Sequence, residues 1–249
     1  ILIVMEMIRR TMGWFIPTLI LICLTYVSVW GKWAGGIFHF PGLSAETLLY
    51  RSFYSSEGMF GSIAAISWSF VFLFIMFGAL LVRSGVCVYI MDVSRAAAVK
   101  VVGGPGFIAV LASGLMGSVS GSSVANTVST GVITIPMMKK AGFPARFAAG
   151  VEAAASTGGQ LMPPVMGAGA FIMASYTQIP YVDIVAVSFI PALIYFLSVA
   201  FFVRIEAKRM GVQIVTTSQE PFMKVLLSGW HNLIPLAVLV TLLVVGFTP

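Results

Sequence analysis

Two apolar stretches between residues 105 and 174 are each interrupted by small, hydroxyl-bearing or turn-forming residues. The first interruption, GSVSGSSVAN, runs from Gly117 to Asn126, and the second, STGGQLMPP, runs from Ser156 to Pro164. A helix that breaks inside hydrocarbon leaves backbone N–H and C=O groups unpaired, which is tolerated only where the break is buried in protein or lines a cavity. Two such breaks in one membrane chain therefore indicate a transport site.

The composition places the chain in a membrane. Of its 249 residues, 59% are hydrophobic and 9% are charged, against about 25% charged in an average soluble domain. A membrane span needs roughly 20 apolar residues. By that measure the sequence predicts spans at 13–31, 59–82, 147–174 (interrupted), 183–203 and 232–248. The predicted fold class is an all-α polytopic membrane protein.

The basic residues predict how the region 105–138 meets the membrane. This region is too short for two full spans with a turn between them. The pair Lys139 and Lys140 is cytoplasmic, like the basic residues near the start of the chain, only if the region enters and leaves on one face. We therefore predict a re-entrant helical hairpin with its tip near 117–123. Of the 14 Lys and Arg residues, all except Lys32 and Arg51 then lie on the cytoplasmic side.

The same reasoning divides the chain into four segments and suggests that it is part of a longer protein. We expect a longer protein because the sequence starts at Ile1 and ends at Pro249, where an apolar run finishes. Segment 1–58 is a first transmembrane helix with an external loop, and segment 59–104 is a transmembrane helix followed by a cytoplasmic interfacial helix at 84–104. Segment 105–174 contains the hairpin and the interrupted helix. Segment 175–249 contains connecting transmembrane helices and a cytoplasmic loop at 211–230.

Hydroxyl groups crowd the first break, and they favour a binding site. Gly117 and Gly121 form a GxxxG pair that is typical of close helix packing, but packing does not need so many hydroxyls. Hydroxyl and carbonyl oxygens without carboxylates suit a dehydrated monovalent cation or the polar groups of a small solute. The ends of half-helices add partial charges of either sign. The polar residues are Ser118, Ser120, Ser122, Ser123, Asn126, Thr127, Ser129 and Thr130.

The second break combines two kinds of helix disruption. We expect Gly158 and Gly159 to adopt backbone angles closed to other residues, and Pro163 and Pro164 lack two successive N–H donors. A simple proline kink is the alternative, although a kink does not need the preceding glycine pair. The sequence predicts an unwound helix near the centre of the bilayer.

Glu152 is the one carboxylate within the predicted membrane stretches of this region. A charge at the centre of a transmembrane helix costs roughly 2.5–3.5 kcal/mol on insertion scales, so such residues usually face protein or water. We interpret Glu152 as a proton site or as the charge partner of a cation. The alternative is an interfacial residue in a wet vestibule, or one paired with a basic neighbour.

The sequence argues against an enzyme, a resident cofactor and a nucleic-acid partner. His39 and His231 are predicted to lie far from the serine-rich break, and Gly121-Ser-Ser-Val124 lacks the glycine that follows the serine of a membrane serine protease. We find no HExxH motif, P-loop or Cys/His cluster. The net charge of +6 reflects membrane topology.

These motifs resemble the large membrane subunit of TRAP transporters, the tripartite ATP-independent periplasmic transporters, and especially the fused permeases of the TAXI branch. The two breaks carry the resemblance, together with GALLVRSG from Gly78 to Gly85, GGP at 103–105, IPMMKKAGF at 135–143 and FAAGVEAAASTGGQLMPPVMGA at 147–168. The resemblance covers most of the chain from about residue 59 onward. It implies one half of an inverted-repeat, elevator-type fold, whose second half these residues do not include.

The resemblance also implies a function, partners and a location. It implies uptake of a small organic anion, driven by a sodium or proton gradient, in the bacterial inner membrane. The partners would be a periplasmic solute-binding protein and small-subunit helices, fused or separate. An ion channel or an ion-only exchanger with a similar hairpin is the main alternative, and a non-transporting scaffold or receptor is a third.

Carried onto this chain, the resemblance assigns residues to two overlapping sites at the breaks. The ion-binding residues are Ser120, Gly121, Ser122, Ser123, Asn126, Gly158, Gly159 and Met162. The substrate-binding residues are Ser123, Asn126, Gln160, Pro163 and Pro164.

Overall fold

A computed structural model describes residues 2–98, 101–212 and 221–245 of the protein, and every regular element in these ranges is helical. The chain divides into two compact units, residues 1–65 and 66–249. The predicted all-α fold class is confirmed. The second unit contains both helix breaks, and it therefore contains the candidate site.

The first unit holds three α-helices, α1 (Leu2–Met12), α2 (Phe15–Ser28) and α3 (Ala45–Tyr54). The Arg9 side chain donates to Glu6 at 2.6 Å, and this hydrogen bond lowers the pKa of the Glu6 carboxyl to about 2. Helix α2 is shorter than the span predicted at 13–31. Its 14 residues extend about 21 Å, less than the ~30 Å of a bilayer's hydrocarbon core.

The second unit is built from longer helices. A continuous helical run, Ser62–Arg83, starts in the last residues of the first unit and continues into the second; it consists of α4 (Ser62–Ile66), a π-helical turn and α5 (Phe72–Arg83). The helices that follow are α6 (Val86–Ala98), α7 (Gly104–Ser120), α8 (Ser123–Lys140), α9 (Ala145–Gly158), α10 (Ala168–Thr177), α11 (Tyr181–Arg209), α12 (Phe222–Ser228) and α13 (Ile234–Val245).

Two helices of the described ranges are long and apolar enough to cross a membrane, Ser62–Arg83 and Tyr181–Arg209. They correspond to the spans predicted at 59–82 and 183–203. A third candidate is the pair formed by α12 and the helix Trp230–Leu242, which bends by 64° at the junction. Residues 246–248 of the span predicted at 232–248 lie outside the described ranges, which end at 245.

Two predicted segments need correction. The loop predicted at 211–230 is wrong over α12, because contacts with α6 stabilise a helix there: the Tyr89 hydroxyl donates to Leu226 O at 2.9 Å. Residues 213–220 of that loop lie outside the described ranges. The interfacial helix predicted at 84–104 already ends at Ala98, and Gly103-Gly104-Pro105 begins α7 instead of ending α6. Proline suits the first turn of a helix, where its missing N–H is not needed.

Helices α7 and α8 form the predicted helical hairpin. Gly121 and Ser122 link them, within the tip predicted at 117–123, and the Ser122 hydroxyl caps α8 by accepting from Ala125 N at 3.3 Å. At the open end of the hairpin, a Cβ added to Gly103 would lie 2.7 Å from Ala207 Cβ near the basic end of α11. The end of the other arm lies near the same terminus, because Met138 of α8 shares a buried cluster with Val203 and Ala207.

A hydrophobic core fixes the open end of the hairpin against α9 and α11. Its side chains come from α7, α8, α9 and α11, and from the segments that follow α8 and α11, so that burial of one cluster positions four helices together. The buried members are Ala109, Val110, Met138, Phe143, Ala148, Val151, Ala155, Val203, Ala207 and Val212.

Candidate ion and substrate site

The tip of the hairpin meets the interrupted helix directly. The backbone N–H of Val165 donates to Ser118 O at 3.1 Å. The Gln160 side-chain amide donates to Ser123 Oγ at 3.0 Å. The second contact joins a residue of the first break to a residue of the second, and the first contact lies one residue beyond the second break. The structure therefore brings together the two interruptions that the sequence placed about 40 residues apart.

Gly121 and Gly117 are required by close backbone approaches. Gly121 has φ +61°, a left-handed conformation that favours glycine, and an added Cβ would lie 2.3 Å from Met166 O. A Cβ on Gly117 would lie 2.3 Å from the Cα atom of Gly159. The hairpin arm and the end of α9 thus cross with their backbones in contact.

The prediction for the backbone of Gly158 and Gly159 is wrong. Both residues have ordinary right-handed helical angles, with φ −60° and −57°. They are small because neighbours leave no room for a side chain: a Cβ on Gly158 would lie 2.2 Å from the Tyr195 ring, and Gly159 packs on Gly117. The glycine pair allows close packing here and does not unwind the helix.

The break itself begins at Met162, three residues after Gly159. A 3₁₀ turn, Gly159–Leu161, follows α9, and Met162 then takes an extended backbone with φ −80° and ψ 119°. Gly167 N donates to Gln160 O at 2.8 Å and closes the loop before α10 begins. The chain is therefore interrupted over 162–167, which is more than the proline kink that was the alternative.

The start of α11 holds the interrupted segment in place. The Tyr181 hydroxyl lies 2.7 Å from Val165 O and 3.0 Å from Pro164 O, so it donates to carbonyls that the break leaves without a helical partner. Lower on α11, the Tyr195 hydroxyl donates to Ala154 O at 2.9 Å. Sequence reasoning missed both tyrosines, because no local pattern relates them to the break.

Two buried oxygen atoms near the tip have no hydrogen-bond partner within the described ranges. Asn126 is 0% exposed, and its Nδ2 donates to Ser113 O at 2.7 Å, which leaves Oδ1 buried and unpaired. Ser120 Oγ is likewise buried and unpaired. An unsatisfied buried polar group costs about 1–3 kcal/mol. Uncharged oxygens of this kind fit a dehydrated monovalent cation, whose coordination would remove that cost.

The structure separates the predicted substrate residues into two groups. Gln160 is exposed, and Ser123, Pro163 and Pro164 are half-buried, so these four residues form an accessible surface. Asn126 is fully buried and is not part of this accessible surface. Met162, predicted as an ion ligand, lies in the extended segment and is half-buried.

Other hydroxyls of the first break bond to carbonyls of their own helix. Ser118 Oγ donates to Leu115 O, Thr127 Oγ1 to Ser123 O and Ser129 Oγ to Ala125 O, at 2.7–2.8 Å. These bonds are common for Ser and Thr inside membrane helices. The alternative of ordinary helix packing therefore applies to these residues, while the unpaired oxygens lie closer to the tip.

The surroundings of Glu152 contradict the alternative interpretation and leave the proton site as a prediction. It is 0% exposed, and hydroxyl groups of Ser113, Thr130, Thr134 and Ser156 surround its carboxyl group. A wet vestibule is therefore wrong, and so is a basic neighbour, since no Lys or Arg pairs with Glu152 in the part of the chain that the structure describes. The four-residue spacing of Thr130 and Thr134, and of Glu152 and Ser156, is the sequence signal for this cluster.

The fold and the paired breaks define a class of protein: an all-α polytopic membrane protein in which a helical hairpin meets an interrupted helix. The family model of the tripartite ATP-independent periplasmic transporter, DctM component, matches residues 1–249. The chain belongs to this family. The resemblance to the TRAP large membrane subunit is confirmed by this match.

Curated relatives from three bacteria support the assignment. A TRAP transporter large permease protein of Haemophilus influenzae is 28% identical over 168 residues, which are 67% of this chain and 39% of that protein. The C4-dicarboxylate TRAP transporter large permease protein DctM of Pseudomonas aeruginosa is 34% identical over 106 residues, 43% of this chain and 25% of the relative. The 2,3-diketo-L-gulonate TRAP transporter large permease protein YiaN of Escherichia coli is 33% identical over 91 residues, which are 36% of this chain and 21% of the relative.

The chain spans about two fifths or less of the length of these relatives. No solved structure matches it. The relatives are named as permeases, so the comparisons support the expectation of a transport protein over that of an enzyme.

Proposed function

We propose that the protein takes part in secondary active transport, using an ion gradient, with sodium as the coupling ion, to take up a small organic anion. The observation that carries this proposal is the unpaired, fully buried Oδ1 of Asn126 beside the hairpin tip. A transporter needs a site that binds an ion strongly enough to select it and releases it when the surrounding elements move. A buried oxygen without a partner, at a junction of two interrupted elements, has these properties.

Sodium is favoured over a divalent cation by the chemistry of the available ligands. The predicted ligand set consists of hydroxyl, amide and backbone oxygens with no carboxylate, and divalent cations such as Ca²⁺ usually bind several carboxylates. Ends of α7, α8 and α9 meet near the tip, and the partial negative charge of a helix C-terminus favours a cation. Ser120, at the C-terminal end of α7, supplies the second unpaired oxygen.

The proposed substrate is a small carboxylate that contacts the accessible surface formed by Ser123, Gln160, Pro163 and Pro164. C4-dicarboxylates and 2,3-diketo-L-gulonate, which appear in the names of two relatives, belong to this chemical class. The hydrogen bond between Gln160 and Ser123 joins the two breaks at this surface, so substrate bound here contacts both elements. The remaining substrate contacts would come from outside these 249 residues.

The family assignment supports the proposed partners and location. We propose that a periplasmic solute-binding protein delivers the substrate, that small-subunit helices of the TAXI kind complete the membrane complex, and that the complex lies in the bacterial inner membrane. The hairpin would be re-entrant from the cytoplasmic side. Hairpin and interrupted helix would move together, as the transport domain of an elevator mechanism, because their backbones are in contact at Gly117 and Gly159.

The decisive experiment measures uptake in proteoliposomes that contain the intact permease with its small-subunit helices and binding protein. Labelled C4-dicarboxylates and 2,3-diketo-L-gulonate serve as probes, with and without an inward sodium gradient. We expect uptake that needs the binding protein and rises with the sodium gradient. Indifference to sodium, proton and voltage gradients alike would refute coupled transport, and a large conductance without binding protein would favour the channel.

A second experiment needs no substrate. We expect sodium chloride, compared with choline chloride, to raise the thermal unfolding temperature of the purified protein, because an ion that binds only the folded state stabilises it. Asn126→Ala should remove this response. The matched control is Thr157→Ala, whose hydroxyl bonds to Ala153 O on its own helix and is not part of the proposed site.

A further inference from the structure

Glu152 is the buried ionisable group of α9, and its carboxyl group contacts three different helices. Ser113 Oγ on α7 lies 2.7 Å from Oε1, Thr130 Oγ1 on α8 lies 2.5 Å from Oε1, and Thr134 Oγ1 on α8 lies 2.5 Å from Oε2. Ser156 Oγ, one turn further along α9, lies 3.1 Å from Oε1. We call these five residues the carboxyl cluster.

The carboxyl cluster satisfies an ionised Glu152. A carboxylate only accepts hydrogen bonds and offers about four lone-pair positions to donors. Each of the four hydroxyls carries one proton, so that each donates one bond to the carboxylate. Bonds of this kind are charge-assisted and stronger than those between neutral groups. Four of them partly offset the cost of burying the charge.

The same atoms satisfy a protonated Glu152 without any change in their positions. Thr134 Oγ1 also lies 3.0 Å from Thr130 O, and Thr130 Oγ1 also lies 2.7 Å from Asn126 O. If Oε2 carries a proton, it donates to Thr134 Oγ1, and the Thr134 hydroxyl rotates to donate to Thr130 O. No group loses its partner. The two threonines can therefore act as donors or acceptors toward the carboxyl group.

Ionisable groups on the packed elements lie away from the carboxyl cluster. Helix α7 has none, and the 3₁₀ turn after α9 has none. Those of α8 and α9 are exposed at helix ends, at Lys139, Lys140 and Arg146. On α11, Tyr195 donates to the backbone of α9. The second tyrosine of α11, Tyr181, bonds to the interrupted segment. The charged residues of α11 lie near its ends; they are Asp183, Arg204, Glu206, Lys208 and Arg209.

We propose that Glu152 is a proton-binding site of the transporter, at which the carboxylate takes up one proton from solution and releases it later in the transport cycle. A cation does not fit between the oxygens, because they already contact one another at hydrogen-bond distance. An ionised carboxylate that moved through hydrocarbon with no cation beside it would be costly. Binding a proton removes the charge, and it leaves every hydrogen bond of the carboxyl cluster satisfied.

The cluster is linked to the proposed ion site through Ser113 and Thr130. Ser113 donates to Glu152 with its hydroxyl and accepts from Asn126 Nδ2 with its carbonyl. Thr130 contacts Glu152 with the same hydroxyl that reaches Asn126 O. Protonation of Glu152 removes the negative charge that these two hydroxyls contact, and it thereby changes the electrostatic environment of Asn126. Proton binding and ion binding should therefore influence each other, and this coupling is reciprocal.

This inference rests on the proposed function, and one experiment separates the two. Uptake of labelled substrate into proteoliposomes, with the intact permease and its partners, is measured with a sodium gradient, a pH gradient, or both. We expect an inward proton gradient to increase uptake at a fixed sodium gradient. Glu152→Gln should reduce the proton-driven component by about tenfold and retain the sodium-driven component. The matched control is Glu206→Gln, which also removes a carboxylate from this unit and should retain both components.

The outcomes are distinguishable. If wild-type uptake responds to sodium and not to pH gradients, the proton site is overturned and the proposed function stands. If Glu152→Gln keeps the full response to the pH gradient, the proton site is likewise overturned. If no gradient drives uptake, the proposed function fails as well.

Thr134→Val tests the inference without removing Glu152. The substitution keeps the side-chain shape and removes the hydroxyl that donates to the carboxylate. Because this hydroxyl contacts the carboxyl group directly, its removal should alter the pH profile of proton-driven uptake. Thr157→Val is the control, since Thr157 is exposed and donates to Ala153 O. An unshifted pH profile in Thr134→Val would contradict the proposal.

Infrared difference spectroscopy of the folded protein provides a readout that does not depend on uptake. A drop in pH should produce the carboxylic-acid C=O band of a buried acid, which shifts in D₂O. The band should be absent from Glu152→Gln and present in Glu206→Gln. A band that persists in Glu152→Gln would assign the proton to another group and overturn the inference.

Discussion

Two polar groups of atoms lie between the same helices, and they differ in whether their hydrogen bonds are satisfied. At the hairpin tip, Asn126 Oδ1 and Ser120 Oγ are buried and have no partner among the residues that the structure describes. One to two turns away, the carboxyl group of Glu152 has four hydroxyl partners. Both groups of atoms are polar and deeply placed in an apolar chain, so that polarity alone does not distinguish their roles.

The difference indicates which group of atoms needs a ligand and which stabilises the fold by itself. Unpaired buried oxygens lower the stability of the folded protein until something binds them. A saturated network instead contributes to stability at once and links the elements that donate to it. The tip should therefore respond to an added ion, whereas the carboxyl cluster should determine stability and respond to pH.

The backbone contact between the two elements should have the largest effect on stability. Gly117→Ala places a Cβ 2.3 Å from Gly159 Cα, and neither backbone can move without displacing its helix. We expect a loss of about 1–3 kcal/mol and of the sodium response, because the tip and the break separate. Thermal unfolding of the purified protein checks this. Gly150→Ala on α9, which meets no atom within 4 Å, should be neutral or slightly stabilising; equal losses in both variants would contradict the prediction.

Removing one donor from the carboxyl cluster should have the next largest effect. We expect Ser156→Ala to lower the free energy of unfolding, measured by chemical denaturation, by about 1.5 kcal/mol, the value of a strong buried hydrogen bond. The stabilisation by sodium should remain. Thr157→Val, the neighbouring exposed hydroxyl, should change stability by less than about 0.5 kcal/mol. Equal losses of stability in Ser156→Ala and Thr157→Val would contradict this prediction.

At the tip, loss of the ion response should exceed loss of stability. Asn126→Ala removes one hydrogen bond and one unpaired oxygen, so without sodium we expect a change of about 0.5–1.5 kcal/mol. Wild-type protein should gain about 2.7 kcal/mol when sodium exceeds its dissociation constant a hundredfold, and the variant should gain none. Unfolding temperatures across a sodium titration measure both quantities. A variant that keeps the full sodium gain places the ion elsewhere.

The exposed contact between Gln160 and Ser123 should matter least for stability. Ser123→Ala and Gln160→Ala should each cost less than about 0.5 kcal/mol, with a small coupling energy in a double-mutant cycle. Their effect should appear as weaker substrate binding, seen as a higher KM for uptake in proteoliposomes. If KM is unchanged in both single variants, the substrate does not contact this surface.

Several features of the fold could be predicted because they depend on local sequence. The apolar runs predicted the helices Ser62–Arg83 and Tyr181–Arg209, and the small polar run at 117–126 predicted the hairpin tip that Gly121 forms. Helix caps and turns are determined by neighbouring residues, so their signals are readable in a short window. A break near the end of α9 was predicted for the same reason, although its start was placed at the glycine pair and lies at Met162.

Other features could not be predicted, because they depend on distant residues. Gly158 has no room for a side chain because the ring of Tyr195, 37 positions along the chain, packs against it. Gly159 has no room for one because it packs against Gly117. Helix α12 was predicted as a loop because its stabilising contact comes from Tyr89 on α6. These contacts join residues that are far apart in the sequence. The glycines were therefore predicted to adopt unusual backbone angles, whereas they allow close packing.

Glu152 shows most clearly what each level decides. The sequence by itself determined that one carboxylate lies within an apolar, helix-forming segment, since composition and hydrophobic pattern are fixed locally. Only the tertiary structure decided that hydroxyls from α7 and α8 join Ser156 around it. The physical reason is that burial and hydrogen bonding depend on which helices pack together, and that packing is a property of the whole unit.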